Sequence, residues 1–273
     1  MPTPPAESQW NPISGTVFDR QGARATTSTS TMRGERTRRL LDIVLALAAL
    51  VVFAPVMLAI AILIRLDSPG PILFRHVRVG RNRRAGIPTP IQREMRKRDS
   101  GGPPFVFYKF RTMYADARER FPELYTYTYT PDELASLPIK VLVGKKGSPR
   151  DFAEGPRPEL MDDPRVTRMG RWLRRTSLDE LPNFFNVVRG EMSLVGPRPD
   201  IADNVAYYRA AEMKKFSVKP GITGLAQVRG RGFLSFHEVN QYDVEYVERR
   251  SLWLDFKILV ETAFDVVRRH GAF

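Results

Sequence analysis

The longest apolar run in the chain covers residues 43–64 (IVLALAALVVFAPVMLAIAILI) and contains no charged side chain. As an α-helix it would measure about 33 Å, which matches the roughly 30 Å hydrocarbon core of a bilayer. Pro55, near the middle, removes a backbone hydrogen bond and bends a helix. Arginines flank the run on both sides, whereas a spanning helix carries its basic residues mainly on one side. The pattern predicts a membrane helix at about residues 40–65.

Three paths for this helix are compatible with the residues. The length favours an ordinary membrane-spanning helix. Pro55 and the symmetric basic flanks favour a re-entrant helix, which turns inside the membrane and leaves on the face where it entered. A buried helix in a soluble core fits this length least well. From the residues alone, the spanning and re-entrant paths carry equal weight.

The rest of the chain shows shorter periodic segments. Residues 73–79 (LFRHVRV) and 105–110 (FVFYKF) are rich in β-forming side chains and predict two short strands. Residues 242–267 repeat apolar side chains at helical spacing and include Trp253 and Phe256. That segment suits either an interfacial amphipathic helix or ordinary core packing. Together these patterns predict an α+β fold that is mainly helical.

Three segments lack such periodicity. Residues 1–32 are rich in Pro, Ser, Thr and Gly and predict a disordered tail, which leaves residues 33–273 as the folded domain. Residues 82–104 are rich in Gly, Pro and Arg and indicate a basic loop insertion. Residues 114–162 begin with a short helical pattern and continue as a second insertion rich in Tyr, Pro and Lys.

Composition narrows the chemistry that the chain can perform. Its 273 residues contain 43 Lys+Arg against 30 Asp+Glu, a net charge of +13, which favours a partner that carries phosphate. Nucleic acid, an anionic lipid surface and a phosphorylated substrate all fit. The absence of Cys excludes disulfides, thiolate nucleophiles and iron–sulfur clusters. Three widely separated histidines disfavour a His-rich metal site, whereas Mg²⁺ held by oxygen ligands stays open.

Charged side chains concentrate in residues 163–200 (DPRVTRMGRWLRRTSLDELPNFFNVVRGEMSLVGPRPD). Arginines at every third position would form a stripe on a helix, which is either a solvated surface or a wall that faces phosphates. These arginines are Arg165, Arg168, Arg171 and Arg174. Ser177 and Glu180 have the spacing of a capping box, which would place Asp179 at a helix N-terminus and lower its pKa.

An ionised carboxylate at a helix N-terminus faces the position where phosphate binds best, so Asp179 suits nucleophilic attack on phosphorus. Glu180 beside it would hold Mg²⁺, which offsets the repulsion between carboxylate and phosphate. Arg198 lies in a Pro-Arg-Pro turn that suits a bidentate phosphate contact. The alternative is that both acids only cap a helix, and spacing alone does not choose between the two.

Several blocks of the sequence, taken in order, resemble the monotopic phosphoglycosyl transferases, the bacterial sugar transferases that start glycan assembly on polyprenyl phosphate. The blocks are the Pro-interrupted apolar helix with SPGPILFRHVRVGR after it, FVFYKFRTM, DPRVTRMGRWLRRTSLDELPNFFNVVRGEMSLVGPRP, KPGITGLAQVRGR and YVERRSLWLDFKIL. The resemblance covers most of residues 36–267. It implies a monotopic protein of the bacterial inner membrane, with a re-entrant helix bent at Pro55, interfacial amphipathic helices and a catalytic domain on the cytoplasmic face.

The resemblance also implies a reaction. A UDP-sugar would donate its sugar 1-phosphate to polyprenyl (undecaprenyl) phosphate, with Mg²⁺ required and UMP released. The family's Asp-Glu pair corresponds to Asp179, which would form a covalent phosphosugar-aspartate, and to Glu180, the expected Mg²⁺ ligand. The basic positions expected around the nucleotide and the phosphates correspond to Lys109, Arg111, Arg174 and Arg198.

The partners expected on this basis are the UDP-sugar, the polyprenyl phosphate and anionic inner-leaflet lipids, and a homodimer is plausible. The product would enter exopolysaccharide, capsule, O-antigen or glycoprotein glycan synthesis. A membrane-anchored nucleic-acid binder would explain the positive charge, but no nucleic-acid-binding module is recognisable and nucleic acid is not an expected partner. An inactive protein of the same fold is disfavoured by the intact pair Asp179 and Glu180.

Overall fold

The computed structural model of the chain describes residues 27–82, 102–125, 163–230 and 233–268, together with positions 130, 132 and 135. The chain divides into a first unit, Met1–Thr37, and a compact folded unit, Arg38–Phe273. Most of both predicted insertions and the first 26 residues of the predicted tail lie outside the described residues.

Helices dominate the described residues, which confirms the mainly helical part of the predicted fold class. The α-helices are α1 (Thr27–Asp67), α2 (Ala117–Arg120), α3 (Arg168–Thr176), α4 (Asn183–Arg189), α5 (Leu225–Gly230), α6 (Phe236–Arg249) and α7 (Leu252–Arg268). The strands are β1 (Leu73–Val79), β2 (Pro104–Phe110), β3 (Ser193–Val195) and β4 (Gly221–Thr223). Short 3-10 helices cover Pro122–Tyr125, Leu178–Glu180, Ala202–Tyr207 and Glu212–Ser217.

Helix α1 contains the predicted apolar segment and continues without interruption through Pro55. Within the described ranges it is the one helix long and apolar enough to cross a membrane, and only 11% of its most apolar window is buried. Leucines, valines and a phenylalanine in its middle are exposed, among them Val51, Val52, Phe53 and Leu58. Because water disfavours an apolar surface of this extent, the exposure agrees with the predicted membrane helix. The re-entrant path stays a prediction.

Both ends of this exposed stretch are attached to the folded unit. Near its start, the buried Asp42 carboxylate accepts hydrogen bonds from Ser193 Oγ at 2.8 Å and from the Leu194 N–H at 2.9 Å, both in β3. Near its end, Ile60 and Ile64 are each 2% exposed and pack in one cluster with residues of β2 and α3. The exposed apolar middle of α1 therefore lies between two attachments to the same unit.

Two arginines strengthen the first attachment. Arg39 donates to the carbonyls of Val187 at 2.5 Å and Val188 at 2.8 Å, near the C-terminal end of α4. A cation there gives the carbonyls at the helix end an additional donor and opposes the negative end of the helix dipole. Arg38 pairs with Asp255 of α7 at 2.6 Å. The start of α1 is thus held by α4, β3 and α7 together.

The two predicted strands are confirmed as β1 and β2, which pair antiparallel from Leu73 opposite Phe110 to Val79 opposite Pro104. The other edge of β2 is occupied by a side chain of α4. Asn186 accepts a hydrogen bond from the Tyr108 N–H at 3.3 Å and donates to the Val106 carbonyl at 2.6 Å. An amide side chain here makes the donor and acceptor contacts that a third strand would make. This contact fixes α4 against the hairpin.

The main core forms around the parallel pair of β3 and β4. Val187, Leu194, Tyr246 and Ile258 are buried there, and they bring α4, β3, α6 and α7 together. The predicted periodicity of residues 242–267 is helical but is divided between α6 and α7. The break has a local cause, because the Ser251 hydroxyl accepts the Leu254 N–H at 3.2 Å and so caps the start of a new helix.

Candidate functional site

The turn between α3 and α4 carries Asp179 and Glu180. Helix α3 ends at Ser177, which has a left-handed backbone (φ 56°), and the 3-10 turn Leu178–Glu180 follows. The predicted capping box is therefore wrong, since Ser177 ends one helix and makes no side-chain capping bond to the next. Pro182 gives the physical reason, because proline favours the start of a helix and costs a backbone hydrogen bond further inside, and α4 begins directly after it.

Asp179 is buried, with 6% of its surface exposed. The Lys109 Nζ lies 3.6 Å from its Oδ2, and this is the nearest cation to the carboxylate that the structure records. Burial raises the pKa of Asp179, and the positive charges of Lys109, Arg174 and Arg198 only partly oppose that effect. The sequence predicted a lowered pKa, which is wrong because Asp179 is not at a helix N-terminus and desolvation outweighs its cations.

Lys109 comes from β2, where it is the cross-strand partner of Phe74. Its ammonium lies 5.8 Å from the centre of the Phe74 ring, and this contact helps to hold the side chain over the hairpin. Burial lowers the pKa of Lys109, and the Asp179 charge acts in the opposite direction. Each partner of this pair loses hydration, so each depends on the other to keep its charge.

Arg198 and Glu180 form the second ion pair of the site, with Nη2 and Oε1 2.9 Å apart. Both side chains reach solvent, since Arg198 is 49% and Glu180 is 22% exposed. The negative charge of Glu180 raises the pKa of Arg198. The guanidinium stays charged and remains partly accessible to a phosphate from solution.

Arg174 approaches Asp179 from the end of α3. Its Nε donates to the Thr112 hydroxyl at 3.0 Å, which ties α3 to the segment that follows β2. Burial lowers the pKa of Arg174, whereas the charges of Asp179 and Asp163 raise it. An arginine remains protonated under such conditions because its reference pKa is so high. Arg174 therefore supplies a third cation around the carboxylate.

Arg78 is a fourth cation that the sequence reasoning missed. It lies in β1, its guanidinium is 5.5 Å from the centre of the Phe107 ring, and its pKa is affected by both Glu180 and Arg198. Burial lowers that pKa, as it does for Arg174. The signal was present in the alternation of β1, because cross-strand pairing places Arg78 on the hairpin face that also carries Lys109.

Arg111 is not brought into this cluster. It is 4% exposed, and its guanidinium donates to the carbonyls of Ser68 at 2.6 Å and of Pro69, just beyond the end of α1. The Ser68 hydroxyl is a further partner at 2.9 Å. Gly70 has φ 118° and makes room for this guanidinium, since a Cβ there would overlap it. Arg111 therefore fastens the end of α1 to β2.

A buried polar network supports the turn that carries Arg198. Asp200 accepts hydrogen bonds from the Asn204 side chain at 2.6 Å and from the Tyr208 hydroxyl. Lys215 lies 3.3 Å from the Tyr208 hydroxyl and pairs with Asp243 at 2.8 Å, and this ion pair is almost fully buried. Removal of one partner from a buried pair is strongly destabilising, so the network holds the turn in one position.

The assembled site brings four cations to the predicted pair of carboxylates, and Asp200 adds a negative charge near Arg78 and Arg198. The cations are Arg78, Lys109, Arg174 and Arg198, and the carboxylates are Asp179 and Glu180. The cations outnumber the carboxylates, which suits an anionic ligand such as a diphosphate, and arginine binds phosphate oxygens in bidentate fashion. The same place presents a carboxylate oxygen that suits attack on phosphorus.

The donor set also fits Mg²⁺. No three side chains of His, Cys, Asp or Glu come together among the described residues, so an all-protein cage is not indicated there. Mg²⁺ commonly takes only one or two carboxylates and completes its shell with water and substrate phosphates. Asp179 and Glu180, adjacent in one turn, provide such a pair.

Comparison with known proteins defines the class to which this fold and site belong. The sequence profile of the bacterial sugar transferases matches residues 33–269. That match covers most of the apolar helix α1, the β1–β2 pair, the Asp179 turn and α7. The chain belongs to the bacterial sugar transferase family.

Relatives with assigned names support the same membership. The galactosyl transferase CpsE of Streptococcus agalactiae is 35% identical over 236 residues, which are 86% of this chain and 43% of the relative. The UDP-glucose:undecaprenyl-phosphate glucose-1-phosphate transferase of Caulobacter vibrioides is 36% identical over 244 residues, covering 86% of this chain and 72% of the relative. The exopolysaccharide production protein ExoY of Rhizobium meliloti is 31% identical over 240 residues, with 88% and 89% covered. The chain spans about two fifths of the length of several other curated relatives that it matches.

The left-handed backbone at Ser177 predicts an unusual stability effect. Replacement of Ser177 by Gly should raise the apparent melting temperature in detergent, because glycine removes a strain of roughly 1 kcal/mol. Thr176→Gly is the matched control, since Thr176 lies one residue earlier in the right-handed end of α3 and should become less stable. A lower melting temperature for Ser177→Gly would contradict the strain.

Proposed function

We propose that this protein transfers a sugar 1-phosphate from a UDP-sugar to polyprenyl phosphate at the cytoplasmic face of the bacterial inner membrane. The observation that carries the proposal is the buried Asp179 carboxylate, surrounded by cations in a fold with a helix apolar enough to enter the bilayer. Named relatives support it, since the Caulobacter protein is a UDP-glucose:undecaprenyl-phosphate glucose-1-phosphate transferase. The reaction would be the first membrane step in synthesis of an exopolysaccharide, capsule, O-antigen or glycoprotein glycan.

Binding of the donor uses the excess positive charge. Arg174 and Lys109 lie around Asp179, and Arg198 with Arg78 lies around Glu180. A diphosphate held by these cations would present its β-phosphorus to the Asp179 carboxylate. The surrounding charges also stabilise the negative charge that spreads over the phosphoryl oxygens in the transition state.

The first chemical step forms a covalent intermediate. A carboxylate oxygen of Asp179 attacks the β-phosphorus, and the bond from that phosphorus to the oxygen bridging the α- and β-phosphates breaks. UMP leaves with the bridging oxygen and its electron pair, and the sugar phosphate stays on Asp179. Lys109 contributes by favouring the ionised carboxylate, because protonated Asp179 has no free electron pair of comparable nucleophilicity.

The second step returns the enzyme to its starting state. A phosphate oxygen of the polyprenyl phosphate attacks the same phosphorus, and the bond between phosphorus and the Asp179 oxygen breaks. The product is a polyprenyl diphosphate sugar, and the carboxylate is restored. Two steps allow one soluble and one lipid substrate to use the same cations in turn. Mg²⁺, held by Glu180 and substrate phosphates, would supply additional charge neutralisation.

The attachments of α1 support a re-entrant path. Asp42 and Ile64 are 22 positions apart, and both contact the folded unit on either side of an exposed apolar stretch. A spanning helix would place its two ends on opposite faces of a bilayer about 30 Å thick. One compact unit does not lie on both faces, so the two attachments favour entry and exit on one side, with a bend of the helix at Pro55.

Helix α7 supports contact with the membrane surface. Trp253 is 63% exposed, stacks on Phe256, and has the Lys257 ammonium 5.2 Å from its ring. Phe264 continues this exposed aromatic face. Exposed aromatic rings beside a lysine are typical of interfacial helices, in which the rings enter the head-group region.

The principal test measures UMP release from a panel of UDP-hexoses and UDP-N-acetylhexosamines, with the protein in bilayers that contain undecaprenyl phosphate. Asp179→Asn should reduce UMP release by roughly a thousandfold or more, because it removes the nucleophile and keeps the shape. EDTA should abolish release and Mg²⁺ should restore it. With donor alone, intact-mass analysis should show the wild-type protein heavier by one sugar phosphate.

The control for this test is Asp116→Asn, which makes the same chemical change at an exposed carboxylate of the α2 region paired with Arg120. It should retain wild-type turnover. Wild-type turnover in Asp179→Asn, or product formation by a protein that never carries the adduct, would refute the covalent route.

The Lys109 pair predicts a shift in the pH profile. Lys109 lowers the pKa of Asp179, so Lys109→Gln should raise that pKa further and move the acidic limb of kcat/KM to higher pH. The plateau should also fall, because a phosphate-binding cation is lost. Lys214→Gln, at an exposed lysine paired with Glu248, should leave the acidic limb in place. An unshifted limb in Lys109→Gln would contradict the role given to this pair.

Single cysteines test the path of α1, and the natural chain contains no cysteine that would interfere. Leu40→Cys and Leu66→Cys lie near the two ends of the apolar segment, and Val52→Cys lies in its middle. In inside-out vesicles a membrane-impermeant maleimide should label both end positions and spare the middle. Labelling of only one end from each side of the membrane would establish a spanning helix instead.

A further inference from the structure

We propose that Asp200 is a positioning residue whose carboxylate holds the guanidinium groups of Arg78 and Arg198 side by side, so that both bind the diphosphate of one donor molecule. The proposal rests on the function proposed above and deepens it. Asp200 acts through the two arginines and takes no part in the chemical steps at Asp179.

The two arginines approach the site from different parts of the chain. Arg78 lies in β1, and Arg198 lies in the Pro-Arg-Pro turn after β3. Burial lowers the pKa of Arg78 most, and the positive charge of Arg198 lowers it further, so the two guanidinium groups are close enough to repel each other. Without a counterion the two side chains would move apart, and they would no longer face the same phosphates.

Asp200 is a counterion common to both arginines. Of the groups that raise the pKa of Arg78, Asp200 has the largest effect. Glu180, paired with Arg198 at 2.9 Å, raises the pKa of Arg198 most, and Asp179 and Asp200 raise it as well. Glu180 is also the carboxylate proposed to hold Mg²⁺, so its charge is shared with the metal when the donor binds. The Asp200 charge stays with the arginines throughout.

The backbone of Asp200 joins the two elements that carry the arginines. The Val79 N–H, one residue after Arg78, donates to the Asp200 carbonyl at 2.8 Å. Asp200 in turn lies two residues after Arg198, and the prolines on either side of Arg198 restrict the backbone of the turn. The positions of both backbones are thus fixed, and the directions of the two long side chains are left to be set by charge.

The Asp200 carboxylate is itself held in one orientation. Its Oδ1 accepts hydrogen bonds from the Ile201 N–H at 2.8 Å and from the Asn204 side chain at 2.6 Å, and its Oδ2 accepts from the Tyr208 hydroxyl. Burial raises the pKa of Tyr208, and the Asp200 charge raises it further, so the hydroxyl keeps the proton that it donates. A carboxylate with these donors presents its negative charge from a fixed place.

The Lys215 ammonium determines the direction of the Tyr208 hydroxyl. It lies 3.3 Å from the hydroxyl oxygen, 2.9 Å from Asn240 Oδ1 and 2.8 Å from Asp243 Oδ2. An ammonium has donors only, so the Tyr208 hydroxyl accepts from Lys215 and directs its own proton to Asp200. A continuous series of buried polar contacts therefore runs from α6 to the counterion of the arginines.

Two roles for Asp200 predict opposite effects on an anionic ligand. If Asp200 only reduced the positive potential of the site, its neutralisation would strengthen the binding of a diphosphate. If Asp200 positions the arginines, its neutralisation weakens that binding, because bidentate contacts depend on the direction of the guanidinium plane. The sign of the change in affinity therefore separates positioning from simple electrostatics.

The experiment measures the dissociation constant of UDP by titration calorimetry, with the full chain in nanodiscs and Mg²⁺ present. UDP carries the diphosphate of the donor and no sugar. Asp200→Asn should weaken UDP binding roughly tenfold. Asp200→Glu keeps the charge and should recover part of the loss. Glu212→Gln is the matched control, since it neutralises another buried carboxylate, bonded to His237, and should leave UDP binding unchanged.

A double variant tests whether Asp200 acts through the arginines. Arg78→Gln removes the repulsion that Asp200 offsets, so Asp200→Asn added to it should change the UDP affinity by no more than about twofold. A general loss of stability would act alike in both backgrounds, so equal losses would overturn the proposal. Where Asp200→Asn does not fold, Tyr208→Phe keeps the buried ring, removes the hydroxyl, and should weaken UDP binding about threefold.

The remaining outcomes also decide the proposal. Unchanged or tighter UDP binding in Asp200→Asn would overturn it, as would unchanged binding in Tyr208→Phe where that variant takes its place. Wild-type protein that binds no UDP would overturn it as well. UMP release from the donor panel is measured separately. If the wild type binds UDP but releases no UMP from any donor, the proposed function fails, and the UDP affinities still decide the role of Asp200.

Discussion

One buried carboxylate organises this molecule. Removal of Asp179 from water favours its protonated form, and only nearby cations oppose that effect. Those cations come from different elements: Lys109 from β2, Arg174 from α3 and Arg198 from the turn after β3. The charge on Asp179 therefore depends on the hairpin, the α3–α4 turn and the β3–β4 pair being packed together. The chemistry of the site is thus linked to the tertiary structure, because an ionised Asp179 requires these cations to be held near it.

The segment 109–112 connects the cations around Asp179 to the end of helix α1. Lys109 faces Asp179, Arg111 donates to the carbonyls that follow α1, and Thr112 accepts from Arg174. Because these three residues lie within one short stretch of backbone, the end of the apolar helix and the cations of the site share one support. A shift of α1 relative to β2 would be transmitted to the surroundings of Asp179.

Local patterns in the sequence predicted much of this arrangement. Features that depend on tertiary packing could not be predicted from them. The apolar helix and both hairpin strands follow from local periodicity, and the resemblance correctly grouped Lys109 with Asp179. The capping box failed because spacing alone ignored the proline that starts α4 one turn later. The resemblance placed Arg111 with the site cations, whereas its guanidinium binds the carbonyls that follow α1, a long-range contact that no local pattern shows. The placement of Arg78 beside Lys109 depends on the register of β1 against β2, and the sequence of one strand alone does not give that register.

The amide of Asn186 has a consequence for strand pairing between chains. An exposed strand edge is a template on which another chain can add a strand, and a two-stranded hairpin has two such edges. Asn186 engages the donor of Tyr108 and the acceptor of Val106, so an incoming chain finds those backbone groups of β2 already bonded. One asparagine thereby leaves less of the strand that carries Lys109 open to intermolecular β-sheet growth.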